Sequence, residues 1–144
     1  MSNRLIQEVI AKQQPLVAPG STTVAAAARM MKRHNVGAVM VTDGDRLVGI
    51  CTERDVLYRV VAETRNPATT PISAVMTPKP RTVNSDMRIG HALFLMYDGG
   101  FRHVPVVEDG KPVGMISARD TLGPELQEFN AELEQRNHLG EVLR

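Results

Sequence analysis

The chain carries one sequence pattern twice, at a constant offset of 65 residues and without a gap. Ten identities link residues 15–57 to residues 80–122. The best-matched stretches are 48–55 (VGICTERD) and 113–120 (VGMISARD). A gapless offset that also preserves turns and helix faces is not expected by chance. The chain must therefore fold as two similar units, and a fold class is acceptable only if it contains the same unit twice.

Each copy predicts the element order β-α-β-β-α. The first helix of each copy has an apolar face at the spacing i, i+3, i+4, i+7, formed by Val24, Ala27, Ala28 and Met31 and by Ile89, Ala92, Leu93 and Met96. Ser21 and the pair Ser85-Asp86 precede these helices as candidate N-caps. Short extended segments at 16–18 and 81–83 precede these helices.

Two hairpins and two further helices complete the copies. Residues 38–41 turn through Asp43-Gly44-Asp45 into 47–50, and the second copy turns at Asp109-Gly110, a strong hairpin signal. Helices are predicted over 53–61 and in the stretch after Ser117.

A unit of about 50 residues is too small to bury a sufficient core alone. We therefore predict a mixed α+β fold in which two repeats pack with pseudo-twofold symmetry. The predicted domains are a first repeat with an N-terminal helix, a linker, a second repeat and a helical tail, at 1–63, 64–71, 72–123 and 124–144. The flanking helices are expected over 3–14 and 124–140, the latter with one apolar face formed by Leu122, Leu126, Phe129 and Leu133.

Composition narrows the function classes. The formal net charge is +1 and the chain has no Trp, so the basic face and stacking aromatics of nucleic-acid binders are not expected. No apolar run approaches the length of a membrane span or signal peptide. The single cysteine, Cys51, excludes an intramolecular disulfide and is expected to be a buried thiol. We expect a cytoplasmic protein that binds neither membranes nor nucleic acid.

The repeated polar motif is Gly-x-x-[Thr/Ser]-x-x-Asp, with Thr52 and Asp55 in the first copy and Ser117 and Asp120 in the second. A hydroxyl three residues before a carboxylate at a helix start is typical of an N-terminal cap. The same groups suit a sugar phosphate, because a carboxylate can accept hydrogen bonds from ribose hydroxyls. Both interpretations stay open on the motif alone.

With these motifs in register, the sequence resembles a tandem pair of cystathionine-β-synthase-type (CBS) domains, the Bateman module. The likeness covers residues of about 8–122 and includes 74–78 (AVMTP) and 102–106 (RHVPV) beside the two repeated motifs. The resemblance implies regulatory binding of AMP, ADP or ATP, or of NAD or S-adenosylmethionine, and transmission of that signal to a partner.

The resemblance also implies roles for individual residues. Asp55 and Asp120 would hold ribose hydroxyls, and Thr52 and Ser117 would contact the ribose-phosphate. Each cleft would be composite: the first motif faces a strand edge that includes Arg81, Thr82 and Val83. The second faces the first copy's strand edge and strand entry, including Leu16, Val17, Val36 and Gly37.

The two clefts are predicted to be unequal. The resemblance places a basic residue against the phosphates, and the second copy has Arg102 and His103 where the first has Gly37 and Ala38. The cleft of Thr52 and Asp55, which faces Arg102 and His103, should therefore be the better phosphate site. Arg54 and Arg119 lie within the motifs and are interpreted either as phosphate contacts or as solvent-facing side chains.

No phosphate-binding loop, nucleophile motif or carboxylate cluster is visible, and the repeats occupy most of the chain, so an enzyme is not expected. The favoured function is a stand-alone adenine-nucleotide sensor that is a homodimer and acts on an unidentified protein partner, with no catalytic cofactor or metal. The alternative is a dimerising interaction scaffold without strong nucleotide binding.

Overall fold

The computed structural model describes residues 4–120 and 123–142. Its helices are α1 (Ile6–Ile10), α2 (Val24–His34), α3 (Glu53–Asp55), α4 (Ile89–Gly99) and α5 (Gly123–Val142), with a π-helix over Val56–Val61 and a 3₁₀ turn over Ile72–Ala74. Its strands are β1 (Val17–Pro19), β2 (Ala38–Asp43), β3 (Arg46–Thr52), β4 (Thr77–Pro78), β5 (His103–Glu108) and β6 (Lys111–Ser117). Within the described residues no helix has both the length and the apolar character needed to cross a membrane.

The repeat is visible in the strand pairing. The first sheet has the order β1-β2-β3-β4, in which β1 runs parallel to β2 and the other pairs are antiparallel. The second is the hairpin β5-β6, which an isolated parallel bridge between Val83 and Val106 extends. That bridge is the equivalent of the Ala18–Val41 pair of the first sheet. The mixed fold with two β-α-β-β-α copies and both predicted hairpins is confirmed.

The core of the first copy is completed by the segment that opens the second. Ile72 and Val75 are buried in the cluster that contains α2, β2 and β3. The Ile72 amide donates to the Thr22 carbonyl at 2.8 Å, and the Val24 amide donates to the Thr70 carbonyl at 2.9 Å. Residues 70–76 therefore pack on the copy that precedes them.

The second core receives the N-terminal segment in return. Ile6 and Ile10 are buried with residues of α4, β5 and β6. The Ile6 amide donates to the Met87 carbonyl at 2.8 Å, and the Ile89 amide donates to the Arg4 carbonyl at 2.9 Å. The two copies thus exchange their opening segments, and neither core consists of one copy alone.

The repeated glycine of each motif makes this exchange possible. A Cβ atom at Gly49 would overlap Met76 Sδ, and one at Gly114 would lie 2.8 Å from Ile10 Cβ. Each glycine therefore admits a side chain of the exchanged segment against the strand, where any larger residue would collide.

Some predicted helix boundaries were wrong. The Thr23 hydroxyl, not Ser21, accepts from the Ala26 amide at the start of α2. Neither Ser85 nor Asp86 caps α4, which begins after Arg88 without a side-chain cap, and the Ser85 hydroxyl instead donates to the Glu108 carboxylate. Local spacing does not distinguish neighbouring hydroxyls, because the cap is set by where the chain leaves the preceding turn.

The flanking helices also differ from expectation. Helix α1 ends at Ile10, so the predicted helix over 3–14 is too long. A turn at Ala118 and Arg119 follows β6, so the helix expected in the stretch after Ser117 does not begin at once. Asp120 is 3₁₀-helical and α5 begins at Gly123, while residues 121 and 122 lie outside the described residues. The tail is helical as predicted. Leu133 is exposed, Leu122 lies outside the described residues, and the side chains of Leu126 and Phe129 are not described.

We predict that Gly49→Ala lowers the free energy of unfolding by about 1 to 3 kcal/mol, because the added methyl overlaps Met76. Urea denaturation of the single variants Gly49→Ala and Met76→Ala and of their double variant measures the coupling. The cost of Gly49→Ala should shrink when Met76 is truncated. The helical Gly140, which has open space around it, is the matched control. Equal costs in both backgrounds would contradict the packing explanation.

Candidate functional site

Two cavities occupy equivalent positions at the junction of the copies. The first cleft, of about 530 Å³, is lined by Ile50, Thr52, Glu53, Arg54, Asp55, Arg59, Thr77, Lys79, Pro80, Arg81, Gly99, Gly100, Phe101, Arg102 and His103. The second cleft, of about 480 Å³, is lined by Gln13, Gln14, Pro15, Leu16, His34, Asn35, Val36, Gly37, Met40, His103, Met115, Ser117, Arg119 and Asp120. Each is composite, with the polar motif of one copy facing the strand entry of the other.

Most of the predicted site residues meet in these two spaces. The first cleft contains Thr52, Arg54, Asp55, Arg81, Arg102 and His103, and the second contains Leu16, Val36, Gly37, Ser117, Arg119 and Asp120. Val17, Thr82 and Val83 line neither cleft. Val83 is buried in the second core instead, where it pairs with β5.

The two motifs position their carboxylates by similar local hydrogen bonds. In the first, the Thr52 amide donates to Asp55 Oδ2 at 2.9 Å, and the Asp55 amide donates to Thr52 Oγ1 at 3.2 Å. In the second, both the amide and the hydroxyl of Ser117 donate to Asp120 Oδ2, at 2.8 and 2.9 Å. The capping interpretation therefore holds for the first motif, while the same side chains line the clefts.

The motif arginines reach across the junction in a reciprocal way. Arg54 donates to the carbonyl of Gly100, the residue just after α4, and Arg119 donates to the carbonyl of Asn35, the residue just after α2. Both contacts measure 3.5 Å. A cation at a helix C-terminus is favourable because the last carbonyls carry partial negative charge. These arginines tie the copies together while lining the clefts.

The clefts differ in charge. Among the described lining residues, the first cleft holds five Arg or Lys side chains against Glu53 and Asp55. The second holds Arg119 against Asp120. One of the five, Arg81, already pairs with Asp98 at 2.7 Å. The first cleft is therefore the more positively charged of the two.

The first copy lacks the opening pattern found at 74–78, and the Gln13 side chain makes contacts there that a strand backbone makes in the second copy. Its side-chain amide donates to the Met115 carbonyl and accepts from the Met115 amide, both at 3.0 Å. In the first sheet the equivalent residue, Ile50, pairs with the backbone of Thr77. The Gln13 side chain thus forms the pair of hydrogen bonds that a neighbouring strand residue would form, and it lines the second cleft. Sequence reasoning missed this role, because a glutamine in a loop carries no periodic signal.

His103 lies between the two clefts and lines both. A methyl group at Gly37 would lie 3.0 Å from Glu53 Oε1 and 3.2 Å from His103 Nε2, so these side chains approach each other beside Gly37. Burial lowers the pKa of the His103 imidazole below its ordinary 6.5, and Arg102 acts in the same direction, whereas Glu53 and Asp120 oppose the shift. His103 is therefore less readily protonated in the folded chain.

The buried Cys51 thiol is not part of either cleft. Burial, with a smaller contribution from the Asp55 charge, raises its pKa to about 12. A thiol in that environment is a core side chain, as the sequence predicts.

We predict that the unfolding free energy of the ligand-free chain decreases as the pH falls through about 6.5. The unfolded His103 gains its proton there, whereas the folded one, with a lowered pKa, does not. Stability from this residue is complete above that pH and is lost below it. Urea denaturation between pH 5 and 8 should give a flatter profile for His103→Asn than for wild type. His91→Asn, at an exposed helix position, is the control. Equal slopes for wild type and His103→Asn would contradict the prediction.

Comparison with known proteins places this geometry in a family. The family model of the CBS domain matches residues 6–62 and 72–123. The CBS domain-containing protein CBSCBSPB5 of Arabidopsis thaliana is 41% identical over 108 residues, which are 74% of this chain and 20% of that protein. The chain thus spans about a fifth of the length of that relative.

Two solved structures share the fold over most of the chain. The CBS domain protein PAE2072 from Pyrobaculum aerophilum, complexed with AMP, is 29% identical with a TM-score of 0.75, covering 81% of this chain and 89% of that one. The CBS domain pair of protein MJ0100, in complex with 5′-methylthioadenosine and S-adenosyl-L-methionine, is 25% identical with a TM-score of 0.74, covering 82% and 96%.

Proposed function

Because the chain belongs to the CBS domain family, we propose that it is a regulatory module that binds an adenosine phosphate in its first cleft without transforming it. The observation that carries the proposal is the first cleft itself, which combines a fixed carboxylate with a group of cationic side chains. Asp55 would accept from the ribose hydroxyls, and Arg102, His103 and Lys79 would face the phosphates. A carboxylate and cations together match the two ends of a nucleotide monophosphate.

The solved relatives support an adenosyl ligand. PAE2072 was solved with AMP, and MJ0100 with two adenosine derivatives that carry no phosphate. The five Arg or Lys side chains of the first cleft favour a phosphate-bearing ligand over the positively charged S-adenosylmethionine. The second cleft, with fewer cations, would bind the same ligand more weakly. We propose that ligand state alters a protein partner.

A second candidate function is a dimerising scaffold. Leu57, Val61, Phe94 and Tyr97 are large apolar or aromatic side chains with more than half of their surface exposed. They lie on the π-helix and on α4, and exposed apolar side chains of this kind would suit an interface with a second copy of the chain. Dimerisation is compatible with nucleotide binding, so the distinguishing property is the ligand response.

We predict that AMP, ADP or ATP raises the melting temperature by about 5 to 10 °C at a concentration a hundredfold above its dissociation constant. A thermal-shift series with AMP, ADP, ATP, NAD and S-adenosylmethionine measures it. The phosphate-bearing ligands should stabilise more than S-adenosylmethionine. If no adenosyl ligand shifts the melting temperature, the sensor function is wrong and the scaffold function is favoured.

We further predict that Asp55→Asn weakens AMP binding about tenfold or more, because a charged acceptor for the ribose is lost. Asp120→Asn is the matched variant in the second cleft and should have a smaller effect on the tighter binding event. Isothermal titration calorimetry on variants with native circular dichroism measures both. Equal losses, or a larger loss for Asp120→Asn, would contradict the assignment of the first cleft as the better site.

A further inference from the structure

Arg59, on the π-helix, contacts two parts of the molecule that are separate in sequence. Its Nη1 donates to the carbonyls of Val75 and Met76, at 2.9 and 3.1 Å. Its Nε lies 3.7 Å from Asp55 Oδ1, one helical turn earlier. One guanidinium therefore joins the motif carboxylate to the exchanged segment.

The two contacted parts form different walls of the first cleft. Asp55 belongs to the first copy, is nearly buried at 8% exposure, and lines the cleft. Val75 and Met76 lead directly into β4 and then into Lys79 and the residues after it, which form the opposite wall. A shift of the exchanged segment would move that wall, and Arg59 links its position to the carboxylate.

The chemistry of the side chain suits this task. Asp55 Oδ2 is already engaged by the Thr52 amide, and Arg59 approaches the other oxygen, Oδ1. A guanidinium keeps its charge at any physiological pH and offers several donors in a fixed plane, so it can serve two carbonyls and a carboxylate together. The Arg59 side chain is half exposed and its Nε is 3.7 Å from the carboxylate, so this contact is better suited to orienting Asp55 than to stabilising the fold.

Arg59 has no chemical counterpart at the equivalent position of the second repeat. At the offset of 65 residues the position of Arg59 is occupied by Pro124, whose side chain has no donor. The backbone around Arg59 is also unusual, since the Ala62 amide bonds to the Leu57 carbonyl, five residues earlier. Such π-helical turns often occur at functional positions.

We propose that Arg59 is a positioning residue that aims the Asp55 carboxylate at the ribose hydroxyls and couples ligand in the first cleft to the segment 75–81. This inference rests on the proposed function. It assigns ribose discrimination to the Arg59–Asp55 pair. It makes residues 75–81, from the end of the exchanged segment to the far wall of the first cleft, the part of the chain that responds to the ligand.

The test compares AMP, ADP and ATP with their 2′-deoxy and 3′-deoxy forms by isothermal titration calorimetry. Wild type should prefer the ribose form of its tightest ligand by about tenfold or more over at least one deoxy form. Arg59→Met should reduce that preference to less than about threefold. Arg59→Lys, which keeps the charge but not the planar fork, should restore part of it. A residue that only stabilised the fold would weaken ribose and deoxy ligands equally.

Arg33→Met is the matched control, because Arg33 is exposed on α2 and lines neither cleft. It should bind like wild type. Hydrogen exchange of the Met76, Thr77, Lys79 and Arg81 amides, with and without ligand, gives a second measurement. Ligand should protect them in wild type and much less in Arg59→Met. Even if Arg59→Met folds poorly, Arg59→Lys and wild-type exchange decide the question.

Ligand binding with an unchanged ribose preference in the Arg59 variants overturns this inference alone. Failure of wild type to bind any of the three nucleotides overturns the proposed function and the inference with it.

Discussion

The contact of Met76 with Gly49, and the equivalent contact of Ile10 with Gly114, is the packing on which the rest of the structure depends. Each strand carries a glycine where a segment from elsewhere in the chain crosses it. A unit of this size cannot bury enough apolar surface alone, and here the missing side chains come from the other copy's opening segment. The exchange brings the strand entry of one copy beside the motif of the other. The composite clefts are a direct consequence of that exchange.

Repetition gives the two clefts one geometry, and a few substitutions give them different chemistry. Arg102 stands where the first copy has Gly37, and Lys79 where it has Gln14. Equivalent positions therefore place cations in one cleft and neutral groups in the other. The reciprocal contacts of Arg54 and Arg119 keep the symmetric frame while the lining changes. In a module built in this way, the residues that line one cleft can change while the packing shared by both copies is kept.

The parts of this structure that the sequence predicts are those encoded locally. Hairpins, the apolar face of α2 and the two motifs follow from spacing and turn residues. The exchange of opening segments is not readable from spacing, because Ile72 and Ile10 would look the same whichever core they entered. The stretch after Ser117 begins with a turn, whereas its equivalent after Thr52 is helical at once. The copies therefore share their pattern without sharing every helix boundary.

The same distinction applies to the candidate site. The prediction that each cleft takes residues from both copies came from the resemblance to CBS domains. The contacts of Arg59 and Gln13 were missed. Both act through backbone carbonyls of a distant segment, and a sequence pattern contains no information on such contacts. The placement of Val83 in a core also depended on strand pairing that single-sequence reasoning could not specify.

A crystal structure of the chain grown with one molar equivalent of AMP would test the central claim most directly. The account predicts AMP in the first cleft, with its ribose hydroxyls within hydrogen-bond distance of Asp55 and its phosphate beside Arg102 and Lys79. It also predicts lower occupancy at Asp120. AMP bound only at Asp120, or outside both clefts, would contradict it.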